Sequence, residues 1–333
     1  MVMDWKFKSV TVLLVGLLVM GFSASTNAQD LNAAKRAIKR GDQEKRSENY
    51  VEAISAFEEC IQITSELGSE ESGVTELKMA AQKKVTKTHL DYANDLLKQE
   101  KYDQALNHYK KTLELAEKYG QGDYADKANK NMPKVYYAKG RNHASEGKYQ
   151  EAVDLFNNAI DGDPDYGWAY IRKAQAFREL GKPDSMEKAV EEAVAIGKRT
   201  DQTNIVTTSQ QLAYRYFYNN GAKALKAKKY KEAIPYLEKA TNYNGSSRLH
   251  HYLALSYGQV GDFQKAAEQE QMVIDDMKGD ASEEELAKYY YTLGTYFEQL
   301  NEKAKACDAY KNAVYGDYKA NAEYKIKHTL KCN

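Results

Sequence analysis

The sequence has little proline, little cysteine and no net charge. Its 333 residues include four prolines and three cysteines, and 48 basic side chains are balanced by 48 acidic ones. Because no basic excess attracts phosphate, the composition argues against a nucleic-acid-binding protein. Few prolines together with 29% charged residues suit long, solvent-exposed helices better than a β-sandwich or barrel.

The apolar run near the N-terminus is too short to cross a bilayer comfortably. It extends from Val10 to Phe22, follows two lysines and precedes small residues that end at Ala28. This order of basic, apolar and small residues is typical of a secretory signal peptide. We therefore expect a leader at 1–28, a mature chain without a stable membrane span, and a periplasmic or secreted protein.

A repeat frame of five positions recurs along the chain, and the stretch 136–164 shows it most clearly. A small residue is followed after nine residues by an aromatic, after three more by alanine, after four more by a large apolar residue, and after three more by a small one. In this stretch the positions are Gly140, Tyr149, Ala152, Phe156 and Ala159. The spacings of four and three place the last three residues on one helical face.

Six other segments follow the spacing of the frame, and the copy that begins at Ala174 is weaker, with Pro183 and Met186 at the aromatic and alanine positions. Their small first positions are Gly41, Ala93, Ala174, Gly221, Ala254 and Gly294, and the large positions of all seven copies are Phe57, Tyr109, Phe156, Val190, Leu237, Glu270 and Tyr310. In this frame, and in the proline that closes the stretch at 164, the sequence resembles the tetratricopeptide repeat (TPR) family, whose unit has about 34 residues.

The resemblance implies an all-α fold, a right-handed α-solenoid of about seven TPR-like helix pairs with a C-terminal capping helix. The solenoid is expected to span 29–333. Its repeats are expected near 34–67, 74–119, 123–164, 165–198, 203–245, 246–279 and 283–318, with the capping helix at 319–331. Pro133 lies inside a helical pattern, so a kink or a short break is expected there.

Two of the three cysteines are placed symmetrically about a turn. Cys307 is near the start of the last repeat's second helix and Cys332 is at the end of the capping helix. Residues equidistant from the turn of an antiparallel hairpin lie opposite each other, so we predict a Cys307–Cys332 disulfide. The alternative is two free thiols in a reducing compartment. Cys60 occupies a small position of the frame and is expected to be a buried filler.

Motifs for catalysis, phosphate binding and metal binding are missing. The six histidines form no HExxH, and the chain has no CxxC, GxGxxG, GxxxxGK[ST] or GxSxG. We therefore predict a protein that is not an enzyme and that uses no cofactor or metal.

In the TPR family the first helices of the repeats line a concave face that binds ligands, often peptides. The position six residues before the frame's small residue is exposed on that face, and it is basic in six of the seven copies. Adding the positions three before and one after gives our candidate ligand-binding residues, which are Lys134, Tyr137, Arg141, Trp168, Arg215, Tyr218, Arg248, His251, Lys288 and Tyr291.

Two functions fit these residues. The leading prediction is an exported scaffold that binds protein or peptide, and a basic row beside tyrosines suits an acidic peptide or a C-terminal carboxylate. The alternative is a carbohydrate- or cell-wall-binding module, in which Tyr137, Trp168, Tyr218 and Tyr291 stack on sugar rings. A third interpretation assigns the cations no ligand and pairs them with nearby acids on the helix surface.

Overall fold

The computed structural model describes residues 28–67 and 72–332, and every regular element within them is helical. The expected signal peptide therefore lies, apart from its last residue, outside the described residues. No helix of the described part combines the length and the apolar character that a bilayer span needs. The all-α class predicted from the repeat frame is confirmed.

The helices follow one another in pairs joined by short turns. Their bounds are α1 (28–46), α2 (Tyr50–Leu67), α3 (Val74–Lys98), α4 (Tyr102–Tyr119), α5 (Gly122–Ser145), α6 (Tyr149–Gly162), α7 (Gly167–Glu179), α8 (Pro183–Arg199), α9 (Thr203–Lys226), α10 (Tyr230–Thr241), α11 (Ser247–Val260), α12 (Phe263–Met277), α13 (Glu283–Gln299), α14 (Lys303–Asn312) and α15 (Lys319–Tyr324).

The described chain forms two compact units, and the single solenoid over 29–333 stays a prediction. The N-terminal unit ends at Ala169 and the C-terminal unit begins at Tyr170, so the boundary falls inside α7. Within each unit the first helices of neighbouring repeats lie side by side, because α3 contacts α5 in the N-terminal unit and α9 contacts α11 in the C-terminal unit. Stacking of this kind buries the apolar face that a single helix pair leaves open.

The repeat frame corresponds to a direct packing contact between the two helices of a pair. A Cβ atom added at Gly140 would lie 2.7 Å from Cε1 of Phe156, and one added at Gly294 would lie 2.8 Å from Cε1 of Tyr310. Both rings are fully buried. The small residue is therefore needed because the large residue of the second helix packs onto the backbone of the first.

The turn inside each repeat contains one residue in the left-handed region, two positions before the start of the second helix. This conformation ends a helix without steric strain only when the residue is glycine. Glycine occupies the position in three repeats and a larger residue does so in four; the residues are Glu48, Glu100, Gly147, Gly181, Lys228, Gly261 and Asn301.

Of the kink or short break expected at Pro133, the break is wrong. Helix α5 continues through Pro133 to Ser145. The proline is buried, and its Cγ packs so closely on Gly162 that a Cβ there would be 2.9 Å away. Burial of the ring offsets part of the cost of the backbone hydrogen bond that proline cannot donate.

The C-terminal segment closes the last repeat, but it is not one continuous helix. A 3₁₀ turn (Gly316–Tyr318) precedes α15, and a π-helical turn (Lys325–Thr329) follows it. Cys307 and Cys332 are joined by a disulfide, with their Cα atoms 5.8 Å apart. Lys325 adds an ion pair of 2.8 Å to Glu298, which also accepts a hydrogen bond of 2.8 Å from Tyr310.

Candidate functional site

The predicted residues of the N-terminal unit lie on α5 and at the start of α7. The ring of Tyr137 lies 6.0 Å from Phe156 and 4.9 Å from Tyr166, measured between centroids. The guanidinium of Arg141 lies over the same ring at 5.9 Å. Lys134 is exposed and donates a 3.0 Å hydrogen bond to Asn131 of its own helix. Tyr137 is therefore part of the packing as well as of the predicted face.

The predicted residues of the C-terminal unit lie on three first helices, with two residues on each. We call this set the basic first-helix face; it consists of Arg215 and Tyr218 on α9, Arg248 and His251 on α11, and Lys288 and Tyr291 on α13. All six side chains are exposed or half-buried. Ring contacts join the three helices, because Tyr218 meets Tyr252 of α11 and His251 meets Tyr289 of α13.

The tyrosines of this face are held by other rings. Tyr218 stacks on Tyr214 at 5.5 Å and on Tyr252 at 5.9 Å, with interplanar angles of 22° and 14°. Tyr291 lies 5.4 Å from Tyr310 and 5.5 Å from Tyr318. Burial raises the pKa of Tyr218, while the neighbouring Arg248 lowers it. The two stacked contacts of Tyr218 use flat surfaces on which a sugar would stack, whereas both contacts of Tyr291 are tilted.

One cation at the corresponding position of the N-terminal unit is paired with an acid, unlike the cations of this face. Lys87 on α3 is paired with Asp91 at 2.8 Å. Within the described part of the chain, no carboxylate lies at ion-pair distance from Arg215, Arg248 or Lys288. The interpretation that nearby acids neutralise the basic row therefore holds at Lys87 and does not hold for the C-terminal unit.

A buried carboxylate lies behind the basic first-helix face. Glu270 on α12 occupies the large position of the frame and is 0% exposed. Its Oε2 forms a hydrogen bond of 3.0 Å with Nδ1 of His251. Burial raises the pKa of Glu270, and the hydrogen bond from His251 lowers it. This residue is absent from the candidate residues predicted from the sequence, although a glutamate at an apolar position of the frame is a signal that identifies it.

The place of the missing large residue is taken by a tyrosine from the next repeat. The ring of Tyr296 packs on Gly258 so closely that a Cβ there would be 2.6 Å from Cε1. Its hydroxyl donates to the backbone oxygen of Ala254 at 3.2 Å. This packing leaves the Glu270 carboxylate directed to His251 instead of filling the core between α11 and α12.

A family model described as a tetratricopeptide repeat matches residues 143–201. The match covers the copy of the frame around Phe156 and the next copy, with helix pairs as described above. The chain belongs to the tetratricopeptide repeat family. An uncharacterized protein of Methanocaldococcus jannaschii is 31% identical to this TPR chain over 70 residues, which are 21% of the chain and 81% of that protein.

Solved structures with a similar fold include MamA of Desulfovibrio magneticus, which is 18% identical, with a TM-score of 0.27, and covers 55% of this TPR chain and 93% of its own. Another is YrrB, described as a TPR protein with an unusual peptide-binding site, which is 18% identical, with a TM-score of 0.27, and covers 59% and 88% of the two chains. Similarity at this level concerns the fold and carries no argument about a ligand.

Cys60 on α2 is a free, buried thiol. Cys60 is 0% exposed, and burial raises the pKa of its thiol to about 11. A thiol with so high a pKa is a poor nucleophile at neutral pH. Within residues 28–67 and 72–332, no three His, Cys, Asp or Glu side chains are grouped as metal ligands would be.

Proposed function

We propose that this TPR protein is a scaffold that binds proteins or peptides, and that an acidic peptide segment lies on the basic first-helix face of the C-terminal unit. The observation that carries the proposal is the presence of Arg215, Arg248 and Lys288 without carboxylate partners on three successive first helices. Exposed guanidinium groups suit bidentate contact with carboxylates.

The stacked tyrosines support the same ligand. Rings held by their neighbours lose little conformational entropy on binding. Tyrosine and arginine are also among the residues that dominate the energetics of many interfaces. Tyr218, fixed between Tyr214 and Tyr252, offers its ring edge to a peptide, and its hydroxyl interacts with Arg248 of the same face. Charge-assisted hydrogen bonds contribute about 1.5–3 kcal/mol each, so three of them supply at most about 9 kcal/mol. Because association itself costs about 4 kcal/mol or more, an affinity of about 1 μM also requires burial of tyrosine surface against the peptide.

The carbohydrate alternative has less support. Of the four aromatics it needs, Tyr137, Tyr218 and Tyr291 are each in contact with two other rings. Trp168 is the fourth, and its exposure is intermediate. One half-exposed indole does not make the row of open ring faces that an extended glycan would require.

We also propose that the protein is exported to the periplasm or secreted. The support is the pattern of the N-terminal 28 residues and the Cys307–Cys332 disulfide, because disulfides persist in oxidising compartments. N-terminal sequencing of protein recovered outside the cytoplasm should begin at Gln29. Recovery only of chains that begin at Met1, in a reducing compartment, would refute export.

The binding face is tested with a fluorescent acidic octapeptide and anisotropy. Replacing Arg215 and Arg248 by glutamate should weaken binding at least 30-fold, since two attractive charges become repulsive. The matched control replaces Lys188 of α8 and Lys231 of α10 by glutamate. Both lysines are exposed on second helices of the same unit, and the change in net charge is the same as in the arginine variant.

The control variant should bind within about twofold of the wild type in 0.15 M salt, where distant charges are screened. Equal losses in the two double variants would show that only overall charge matters. No loss in the arginine variant would refute the assignment of the ligand to this face.

A further inference from the structure

Two adjacent histidines on α11 bind different partners on α12. Nδ1 of His250 lies 2.8 Å from Oε1 of Gln269, whereas Nδ1 of His251 lies 3.0 Å from Oε2 and 3.2 Å from Oε1 of Glu270. Each histidine precedes its partner by 19 residues. The two pairs therefore share their helices and differ mainly in charge, so His250 serves as an internal control for His251.

Glu270 needs a counter-charge because it is fully buried. An ionised carboxylate removed from water is costly unless it is paired, and His251 is its hydrogen-bond partner among the described residues. Burial raises the pKa of Glu270. The His251–Glu270 pair therefore keeps a proton to a higher pH than an exposed glutamate would. With this proton bound the pair is neutral, and without it the pair carries one negative charge.

Charged and titratable groups from the surrounding helices act on this pair. From α13, the ring of Tyr289 meets His251 edge-on at 5.1 Å, while Lys288 and Tyr296 interact electrostatically with Glu270. Arg248 lies one turn earlier on α11, and α9 reaches α11 through the contact of Tyr218 with Tyr252. The carboxylate of Glu238 on α10 binds Tyr257.

The two nearby cations, Arg248 and Lys288, oppose a proton on His251, but solvent screens them because their side chains are exposed or half-buried. Glu270 favours the proton from hydrogen-bond distance in a region without water, where a charge acts several-fold more strongly. Glu270 therefore stabilises a proton on the pair, and a ligand carboxylate beside His251 would add to that stabilisation. No described residue accepts a hydrogen bond from Nε2 of His251.

We propose that Glu270 is a positioning residue that holds His251 by a hydrogen bond, so that His251 offers its other ring nitrogen to an acidic peptide and peptide binding takes up the fraction of a proton that the free pair lacks. The inference rests on the proposed function, since it assigns the proton linkage to the basic first-helix face. A ligand carboxylate stabilises the protonated pair, and affinity consequently falls as the pH rises, by at most tenfold per pH unit for one proton.

The test is isothermal titration calorimetry with an acetylated and amidated octapeptide of aspartate and glutamate at pH 7. Its carboxylates remain ionised at this pH, so any proton taken up is bound by the protein. Titrations in phosphate and in Tris, which differ in ionisation enthalpy, give the number of protons directly. The wild type should take up a measurable fraction of one proton, and its affinity should fall between pH 6 and pH 8.

Glu270→Gln retains the shape of the side chain and removes its charge, so binding should persist with less proton uptake and a shallower pH profile than in the wild type. His250→Gln should behave like the wild type. If Glu270→Gln does not fold, as judged by its thermal melting curve, His251→Gln removes the proposed donor, whose side chain is 15% exposed, and proton uptake should again be smaller than in the wild type.

The outcomes separate the two proposals. No binding of the peptide to the wild type at any pH would refute the proposed function and the proton linkage with it. Binding without proton uptake by the wild type would refute the linkage alone. Uptake that persists undiminished in Glu270→Gln, or that disappears equally in His250→Gln, would likewise overturn the role of Glu270.

Discussion

Acidification is expected to destabilise the N-terminal unit, because His89 is buried there as a neutral ring. His89 on α3 is 6% exposed, and its Nδ1 lies 2.8 Å from Nδ1 of His108 on α4. Burial, with smaller contributions from His108 and Lys111, lowers the pKa of His89 to about 4. Burial also lowers the pKa of His108. Two protonated rings at this distance would repel each other in a region with little water.

The sign of the effect follows from comparing the folded and unfolded chains. The unfolded chain protonates His89 below about pH 6.5, whereas the folded chain does so only near pH 4. The stabilisation is therefore complete above pH 6.5 and is lost progressively as the pH falls toward 4. A difference of about 2.5 pH units corresponds to roughly 3 kcal/mol, of which about 2 kcal/mol is lost between pH 7 and pH 5.

Urea unfolding at pH 7 and pH 5, followed by circular dichroism and by hydrogen exchange of peptides from α3 and α4, measures this loss. Replacing His89 by glutamine should reduce the difference between the two pH values by about 2 kcal/mol. His328 is exposed, so His328→Gln is the control and should leave the difference unchanged. If His89→Gln showed the wild-type pH dependence, the buried histidine would not be its cause.

Three further predictions concern stability. Oxidised, denatured protein should titrate as one free thiol, and a count of three thiols would contradict the disulfide. Replacing Cys307 and Cys332 by alanine should lower the stability of the C-terminal segment by about 3.5 kcal/mol, because the disulfide closes a 25-residue loop. Gly140→Ala should destabilise by about 1–2 kcal/mol through the clash with the Phe156 ring, whereas Gly122→Ala in the same helix meets no atom within 4 Å and should be neutral or stabilising in thermal melting. Glu100→Gly should raise the melting temperature and stabilise the fold by up to about 1 kcal/mol, because the left-handed backbone at this position is strained when the residue has a side chain. A lower melting temperature would refute that explanation.

The paired helices were predictable because their packing is encoded at short range. The contact between Gly140 and Phe156 joins residues 16 apart, and a fixed spacing within two helices is enough to specify it. The apposition of Cys307 and Cys332 followed from equal distances to one turn. Continuity of α5 through Pro133 was not predictable, because it depends on the burial of the proline ring against Gly162.

The candidate site was predictable in position and not in environment. The frame placed Arg215, Arg248 and Lys288 at equivalent positions of first helices, and these residues are exposed or half-buried in the structure. Whether a neighbouring acid neutralises each cation depends on side chains from other helices, which a spacing pattern does not specify. The stacking of Tyr218 between Tyr214 and Tyr252 is undetermined by the sequence for the same reason.

The sequence alone determined the family, the helical class and the small-to-large contact inside each repeat, since these depend on periodicity and on residue size at fixed separations. Only the tertiary structure decided which charges are unpaired and which are buried. It placed Glu270 in the core against His251 and filled the vacated space with Tyr296. Burial and hydrogen-bond partners arise from three helices at once, and they convert an irregular position of the repeat into a testable part of the binding face.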